Sequence, residues 1–361
     1  EPVTRVALDV RLVGRRSTGD STYWFGLLSG LVQLDDKIEY LLLSNAERPP
    51  GIPEAHNLRW VHIPSRYDRL WSLVSFPLAA RKRGAGAIHT QYNLSPLVGR
   101  RGLTTVHDVS FFVEPSWYGP KDGFLLRKGV ASSVRRAARV IAVSETSRRE
   151  IERFLPAARG KTVVTYEARH PAIGPMPPQE ARQAIEALGI APPFILSVGA
   201  RWPRKNLKLA LDAAALLPKE LPHRLVLTGP AGDGALHGPR IIEAGYVSET
   251  ELSALYALAD AYLLTSLHEG FGLPILEAFA CGCPVICSQG GAIPEVAGDA
   301  ALVVPGYDPR EWAGAIAGLL ADRSKMDELR ERGFARERLF SWTRTAELTA
   351  GAYKHVIGTR S

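Results

Sequence analysis

The chain has 361 residues, 46% of them hydrophobic and 22% charged, enough for two domains of ordinary size, each with its own core. There is no run of about 18 apolar residues, so no membrane-spanning helix is expected, and no signal peptide is read, because Arg5 precedes an alternating strand and not a long apolar segment. The net charge of +7 is uneven: residues 1–170 carry 26 Lys and Arg against 16 Asp and Glu, the remainder 18 against 21.

A basic half attracts anions, whether nucleic acid, anionic lipid or a phosphorylated acceptor; an Arg-rich solvated surface is the plain alternative. No nucleic-acid module or aromatic ladder accompanies the charge, so no nucleic-acid partner is expected. Cys281, Cys283 and Cys287 are an odd number packed together, which is no disulfide framework. Residues 284–287 read as a buried strand and no second ligand pair follows. The thiols are therefore expected in the core, with no metal site, which suits a reducing, cytoplasmic compartment.

In chain order, residues 3–10 alternate and read as the first strand. Residues 11–22 form a loop containing Gly14, Thr18, Gly19 and Asp20, and 23–34 an apolar helix. A glycine loop between a first strand and a first helix is where an open α/β sheet binds ligands. Strand-like runs recur at 39–43, 58–63 and 87–90, with helical stretches between some of them, which predicts a parallel sheet wrapped by helices. The helix near 71–83 has an apolar stripe and a basic end, Arg81-Lys82-Arg83. Packing on the sheet with cations at its C-terminus is the leading reading, contact with a membrane surface the other.

A short strand ends at Thr104-Thr105-Val106-His107-Asp108. Its polar pair stands at the C-terminal tip, where doubly wound folds place ligands. Residues 138–143 are a strand, with Ser144 and Ser147 placed to cap the next helix; 163–165 is strand-like. Residues 171–179 hold four prolines, and 171–184 reads as an interdomain linker. The alternation restarts at 194–198 and runs through Gly199-Ala200-Arg201-Trp202-Pro203-Arg204-Lys205-Asn206 into a helix from Leu207. Cations at a helix start oppose the dipole unless an anion sits there. Residues 225–228 and 260–264 add strands, 249–258 a helix, 285–286 a strand and 290–295 a glycine loop.

The most informative stretch is His268-Glu269-Gly270-Phe271-Gly272-Leu273-Pro274-Ile275-Leu276-Glu277. A buried strand, 261–264, leads into a turn built on Gly270 and Gly272. Pro274 marks the first turn of a helix over 275–281, and Gly282 its cap. Strand, glycine loop and helix N-terminus together present free N–H groups to an anion. A carboxylate on either side of a phosphate suggests a sugar nucleotide, Glu277 accepting ribose hydroxyls and Glu269 those of the sugar. An ordinary turn with one capping Glu is the alternative.

The whole string resembles the Glu-x7-Glu signature of the retaining glycosyltransferases of family 4, whose GT-B fold is two Rossmann-like doubly wound parallel-sheet α/β domains facing a central cleft. The resemblance covers nearly the whole chain and is most specific over 194–295. It implies an acceptor-side domain over 1–170, a linker over 171–184, a nucleotide-sugar domain over 185–340, and a C-terminal helix, 341–361, crossing back to the first domain. It implies donor contacts at Gly19, Val247, Phe271, Gly272, Leu273 and Glu277, and places His107 against the transferred sugar, with Asp108 orienting its neighbour or capping a turn. Lys205 matches the diphosphate-binding Lys. The usual Arg position is Ala200 here, leaving Arg201 or Arg204 to take that role.

The expected reaction is metal-independent transfer of a hexose, with retention, from a nucleoside diphosphate sugar to a hydroxyl of a glycan, lipid-linked or small-molecule acceptor. The family look leans to mannose from GDP-mannose, with no cofactor. Lys205, an Arg and the helix start at 272–276 would stabilise the leaving diphosphate; Glu269 and His107 would position the sugar, and domain closure would assemble the site. A GT-B epimerase and a non-catalytic sugar-nucleotide-binding protein are the alternatives. NAD chemistry needs a Gly-x-Gly-x-x-Gly after strand one, which 11–22 lacks. The expected location is cytoplasmic, with peripheral contact to an anionic membrane through the basic half.

Overall fold

The computed structural model describes residues 4–14, 19–34, 37–230, 238 and 240–359; Val3 and Thr18, assigned above to the first strand and its loop, lie outside them. The chain divides into two compact units, residues 1–167 with 341–361, and residues 168–340.

The first unit is built on a parallel sheet of β1 (Thr4–Asp9), β2 (Ile38–Ser44), β3 (Leu58–His62), β4 (Ala87–Gln91), β5 (Gly102–Val106), β6 (Arg139–Ala142) and β7 (Thr162–Val164), in the order β3-β2-β1-β4-β5-β6-β7. The central strands are buried on both faces, as a parallel sheet covered by helices requires. The order reverses at β1, which pairs with β2 on one side and β4 on the other. The first helix, Gly19–Leu31, begins four residues earlier than its apolar run suggests, with Asp20 in its first turn, where an acid suits the dipole.

The C-terminal helix, Trp342–Gly358, belongs to this unit and packs on Gly19–Leu31. The fit is close because Gly26 has no side chain: a Cβ there would lie 1.9 Å from the Trp342 ring. The expected helix near 71–83 is a longer helical run from Asp68 to Lys82 containing a π turn, Trp71–Ser75.

The second unit holds β8 (Phe194–Val198), β9 (Arg224–Thr228), β10 (Ile241–Gly245), β11 (Ala261–Leu264), β12 (Val285–Cys287) and β13 (Ala301–Val303), in the order β10-β9-β8-β11-β12-β13, all parallel. Its reversal lies between β8 and β11. The expected linker of 171–184 is corrected in its second part. Pro178–Glu186 is a helix that buries Ala181 and Ile185 and packs on the helix Glu249–Leu258. Pro178 opens that helix, because a proline in the first turn forfeits no hydrogen bond.

The helix after the glycine turn is Leu273–Ala280, two residues earlier than expected, with Gly272 as its N-cap in the left-handed region at φ 104°. All three cysteines are free and buried; burial pushes the Cys281 and Cys287 thiols up to about 12. Among the described residues no helix is long and apolar enough to cross a membrane.

Candidate active site

In the second unit the residues that matter stand at the C-terminal ends of β8 and β11, the switch point where doubly wound sheets bind ligands. The segment after β8 makes a short 3-10 turn, Pro203–Lys205, and passes through Asn206 in the left-handed conformation. The segment after β11 is stitched to it. Thr265 Oγ1 donates to the Lys205 and Asn206 carbonyls at 3.1 Å each, and the Leu267 N–H donates to the Arg204 carbonyl at 2.7 Å.

This stitching brings three side chains onto one carboxylate. Lys205 Nζ lies 2.6 Å from Glu269 Oε1, Arg204 Nη1 2.8 Å from Oε2, and the Ser266 hydroxyl donates to Oε1 at 2.5 Å. Arg204 Nη1 also donates to the His268 carbonyl at 3.1 Å. Burial alone would lift the Glu269 carboxyl, but the charge of Lys205 and then Arg204 overcomes it and holds it at about 2. Glu269 is therefore ionised at every physiological pH, with lone-pair capacity left beyond its three partners. The Gly290–Ala292 loop fixes its backbone: the Ala292 N–H donates to the Glu269 carbonyl at 2.8 Å, and a Cβ on Gly291 would lie 2.3 Å from that oxygen.

Arg201 goes elsewhere, pairing with Glu243 on β10. Arg201, Glu243 and Lys205 line a cleft with Ser197, Gly199 and Thr228. Five charges thus meet here, three cationic and two anionic, so the surplus is a single positive charge; the helix Leu273–Ala280, which follows Glu269 in sequence, starts without a side-chain cap.

Glu277, in the second turn of that helix, is buried beside the Tyr256 hydroxyl, which donates to Oε2 at 3.3 Å. Desolvation dominates and raises its carboxyl to about 7, with Tyr256 and the His170 N–H opposing. Phe271 is buried, its ring edge-on to Phe340 at 5.7 Å. Leu273 opens the helix, and Val247 is buried just after β10.

In the first unit His107 follows β5. Its Nδ1 lies 2.8 Å from Glu167 Oε1 and its Nε2 3.2 Å from Gln91 Oε1. The Gln91 amide is oriented by its NH₂, which donates to the Asp20 carbonyl at 3.0 Å. Each ring nitrogen thus faces an acceptor, which calls for a proton on both. Burial disfavours that charge, but the hydrogen bond and charge of Glu167, followed by Asp20 and Asp108, raise the His107 pKa above its ordinary 6.5. Tyr23 stands edge-on to the ring at 5.0 Å, and Tyr92 packs on it at 5.7 Å from a left-handed backbone at φ 57°, a strained state for a non-glycine residue.

Of the two readings of Asp108, the local contacts fit the turn: its Oδ1 accepts the Ser110 N–H at 2.8 Å. Gly19 is exposed at the start of its helix, and a Cβ there would meet no described atom within 4 Å. Gln91, Tyr92 and Glu167 were not singled out from sequence. The strand-tip rule that found His107 applies equally to them, since Gln91 ends β4 and Glu167 lies just beyond β7.

Two parallel-sheet α/β units, each with polar groups at its strand tips, make up a GT-B fold. Residues 18–168 match Glycosyltransferase Family 4 and residues 179–336 match Glycosyl transferases group 1. The chain belongs to this family. It is 37% identical to the O-antigen chain mannosyltransferase B of Escherichia coli over 268 residues, 70% of each chain. Among solved structures, the sucrose-phosphate synthase of Thermosynechococcus elongatus superposes with a TM-score of 0.76 at 21% identity, covering 99% of this chain and all of that one. Anabaena HepE in complex with UDP-glucose superposes with a TM-score of 0.73 at 19% identity, covering 98% of this chain and 99% of that one.

Proposed function

We propose that the protein is a retaining, metal-independent hexosyltransferase that moves mannose from GDP-mannose to a hydroxyl of a growing glycan or lipid-linked saccharide. The observation that carries this reading is the Lys205–Glu269 contact of 2.6 Å at the β8/β11 switch point, in a chain 37% identical to an O-antigen mannosyltransferase.

In this reading the diphosphate lies against the start of Leu273–Ala280 and over Lys205 and Arg201, the two cations that line the cleft. They offset the charge that develops as the sugar–phosphate bond breaks, and each charge-assisted contact is worth about 1.5–3 kcal/mol. Arg204 serves as a positioning residue that holds Glu269. Glu269 accepts from hydroxyls of the transferred sugar. The Glu277 carboxylate takes both ribose hydroxyls, with Val247, Phe271, Gly272 and Leu273 around the nucleoside and its phosphates. His107, as an imidazolium held by Glu167 through Nδ1, exchanges its Nε2 hydrogen bond from the Gln91 side chain to a sugar hydroxyl, and Gly19 leaves space for the substrate to pass close to the backbone. The acceptor oxygen attacks the anomeric carbon on the face that the diphosphate leaves, and its proton departs with that diphosphate.

The test is release of GDP from GDP-mannose with and without a mannose-terminated acceptor, followed by the anomeric configuration of the product. Release only with acceptor, and an α-linked product from the α-linked donor, is the expected outcome. Donor turnover without acceptor, yielding an epimerised sugar, would instead identify an epimerase. Binding without release would identify a carrier.

A further inference from the structure

A second histidine of the first unit takes no part in the chemistry above. His89, on β4, is fully buried and held on both sides. Its Nδ1 lies 2.6 Å from the Tyr353 hydroxyl, on the helix Trp342–Gly358, and its Nε2 2.7 Å from Thr105 Oγ1, on β5. Thr105 Oγ1 shares a further hydrogen bond of 3.0 Å with the Tyr23 hydroxyl, in the helix Gly19–Leu31. Tyr23 then stands edge-on to His107 at 5.0 Å, the two planes at 90°. Tyr353, His89, Thr105 and Tyr23 are all fully buried, so the chain of contacts runs through the interior without solvent. His89 and Gln91 stand two apart on β4 and so on one face of the sheet, Gln91 at the tip against His107 Nε2 and His89 one step deeper.

Burying an imidazole costs free energy that an aliphatic side chain would not. The cost is offset here by two hydroxyls, which a phenylalanine of similar shape would leave buried and unpaired. Burial pushes the His89 pKa down to about 3, and the charge of His107 pushes it the same way. The ring is therefore neutral, with one donor and one acceptor. The Tyr353 hydroxyl has no other hydrogen-bond partner among the described residues, so its proton goes to Nδ1, and the ring proton sits on Nε2 and donates to Thr105. Neutrality also suits the site, since a second imidazolium would repel the first.

The same C-terminal helix reaches the other support of His107. Thr345, about two turns before Tyr353, donates to the Tyr166 carbonyl. The next residue is Glu167, whose carboxylate holds His107 Nδ1. One helix thus backs His107 from two sides, through the backbone beside Glu167 and through the ring of Tyr23.

We propose that His89 is a positioning residue for His107: acting through Thr105 and Tyr23, it fixes the ring whose Nε2 turns to the transferred sugar. The role in turnover rests on the reading of His107 as a sugar contact; the fixing of the ring does not.

Three variants test it. Tyr353→Phe and Tyr23→Phe each remove one hydroxyl and keep the ring, and His89→Gln keeps a donor and an acceptor without the imidazole. In each, the NMR titration of the His107 ring protons should move to lower pH, as the ring drifts from Glu167 and loses support that Glu167, Asp20 and Asp108 give its charge. The kcat should fall about tenfold, inside the hundredfold that a misplacement of about 1 Å can cost, while the KM for donor holds within about twofold. Because the two tyrosines act along one chain, the double Tyr→Phe variant should lose little more than either single one. Should His89→Gln fold poorly, the tyrosine variants carry the test. A His107 titration unmoved in all the variants that fold, with only the thermal transition lowered, would reduce His89 to packing and overturn the proposal. So would fully additive losses in the double variant. A wild type that releases no GDP would count against glycosyl transfer instead, and the titration would still decide the relay.

Discussion

Glu167 accepts a hydrogen bond from His107 Nδ1 at 2.8 Å, across sixty residues of sequence, while the Gln91 carbonyl oxygen occupies the other ring nitrogen at 3.2 Å. A histidine flanked in this way is favoured as a cation, with both ring nitrogens turned to acceptors. Its contribution to stability follows from the direction of its shift. The pKa is raised above 6.5 in the fold, so the ion pair stabilises fully below the ordinary histidine value and is lost as pH rises through the folded one.

Glu167→Gln keeps an acceptor beside Nδ1 and removes the charge. We predict that the His107 pKa then falls, measured by NMR titration of the ring protons, and that the alkaline limb of the kcat profile moves to lower pH by the same amount. Thermal stability should fall more below pH 6.5 than on the alkaline side of the His107 titration. An unmoved His107 titration would show that Asp20 and Asp108 alone sustain the charge.

The roles of the two arginines separate by what they touch. Arg201 lines the cleft with Lys205 and pairs with Glu243, whereas Arg204 is engaged by Glu269 and the His268 carbonyl. We predict that Arg201→Ala weakens GDP binding by about tenfold or more, the value of one charge-assisted contact. Arg204→Gln should leave GDP affinity within a few-fold while kcat falls, because Glu269 is then held by Lys205 and Ser266 alone. Lys205→Ala should lower both, with kcat down about a hundredfold or more. Calorimetry with GDP and steady-state kinetics for the three variants decide the assignment. Equal loss of affinity at Arg201 and Arg204 would place both on the diphosphate.

The parallel alternation was legible because each central strand is a short apolar run bounded by turn residues, and 194–198, 225–228 and 260–264 map closely onto β8, β9 and β11. The long helices Pro120–Arg136, Pro309–Ala321 and Arg323–Glu337 were not singled out. The first is interrupted by Gly123 and Gly129, and the last buries only Met326, Leu329 and Gly333 among a dense run of charges, too sparse a stripe to stand out. Lys205 and Glu269 were each visible as chemistry, but not as partners. Their contact spans sixty-four residues and is set by β8 and β11 lying side by side while β9 and β10 lie on the other side of β8, an order that local pattern does not encode. The exchange of Arg201 onto Glu243 was hidden for the same reason.

Glu277 is the counterpart to Glu269: both are buried carboxyls, yet one is held at about 2 and the other raised to about 7. The difference is that two cations contact Glu269, whereas Glu277 has a phenol hydroxyl and a backbone N–H. An acid raised in the fold is protonated there while the unfolded chain ionises. Stability therefore falls as pH rises from the ordinary 4.5 to about 7, by an amount of order 3 kcal/mol, and is level above that. Glu277→Gln removes the penalty and keeps an oxygen to accept from Tyr256.

We predict that this variant is more stable than the wild type at pH 8, no more stable at pH 4, and binds donor more weakly, since a neutral amide is a poorer acceptor for two ribose hydroxyls. In the wild type the KM for donor should rise as pH falls below about 7, through the range where the carboxyl takes up its proton. Chemical denaturation at the two pH values gives the stability difference. A variant uniformly less stable than wild type would mean that the Tyr256 and His170 contacts outweigh the burial of charge, and a donor KM flat between pH 6 and 8 would remove Glu277 from ribose recognition.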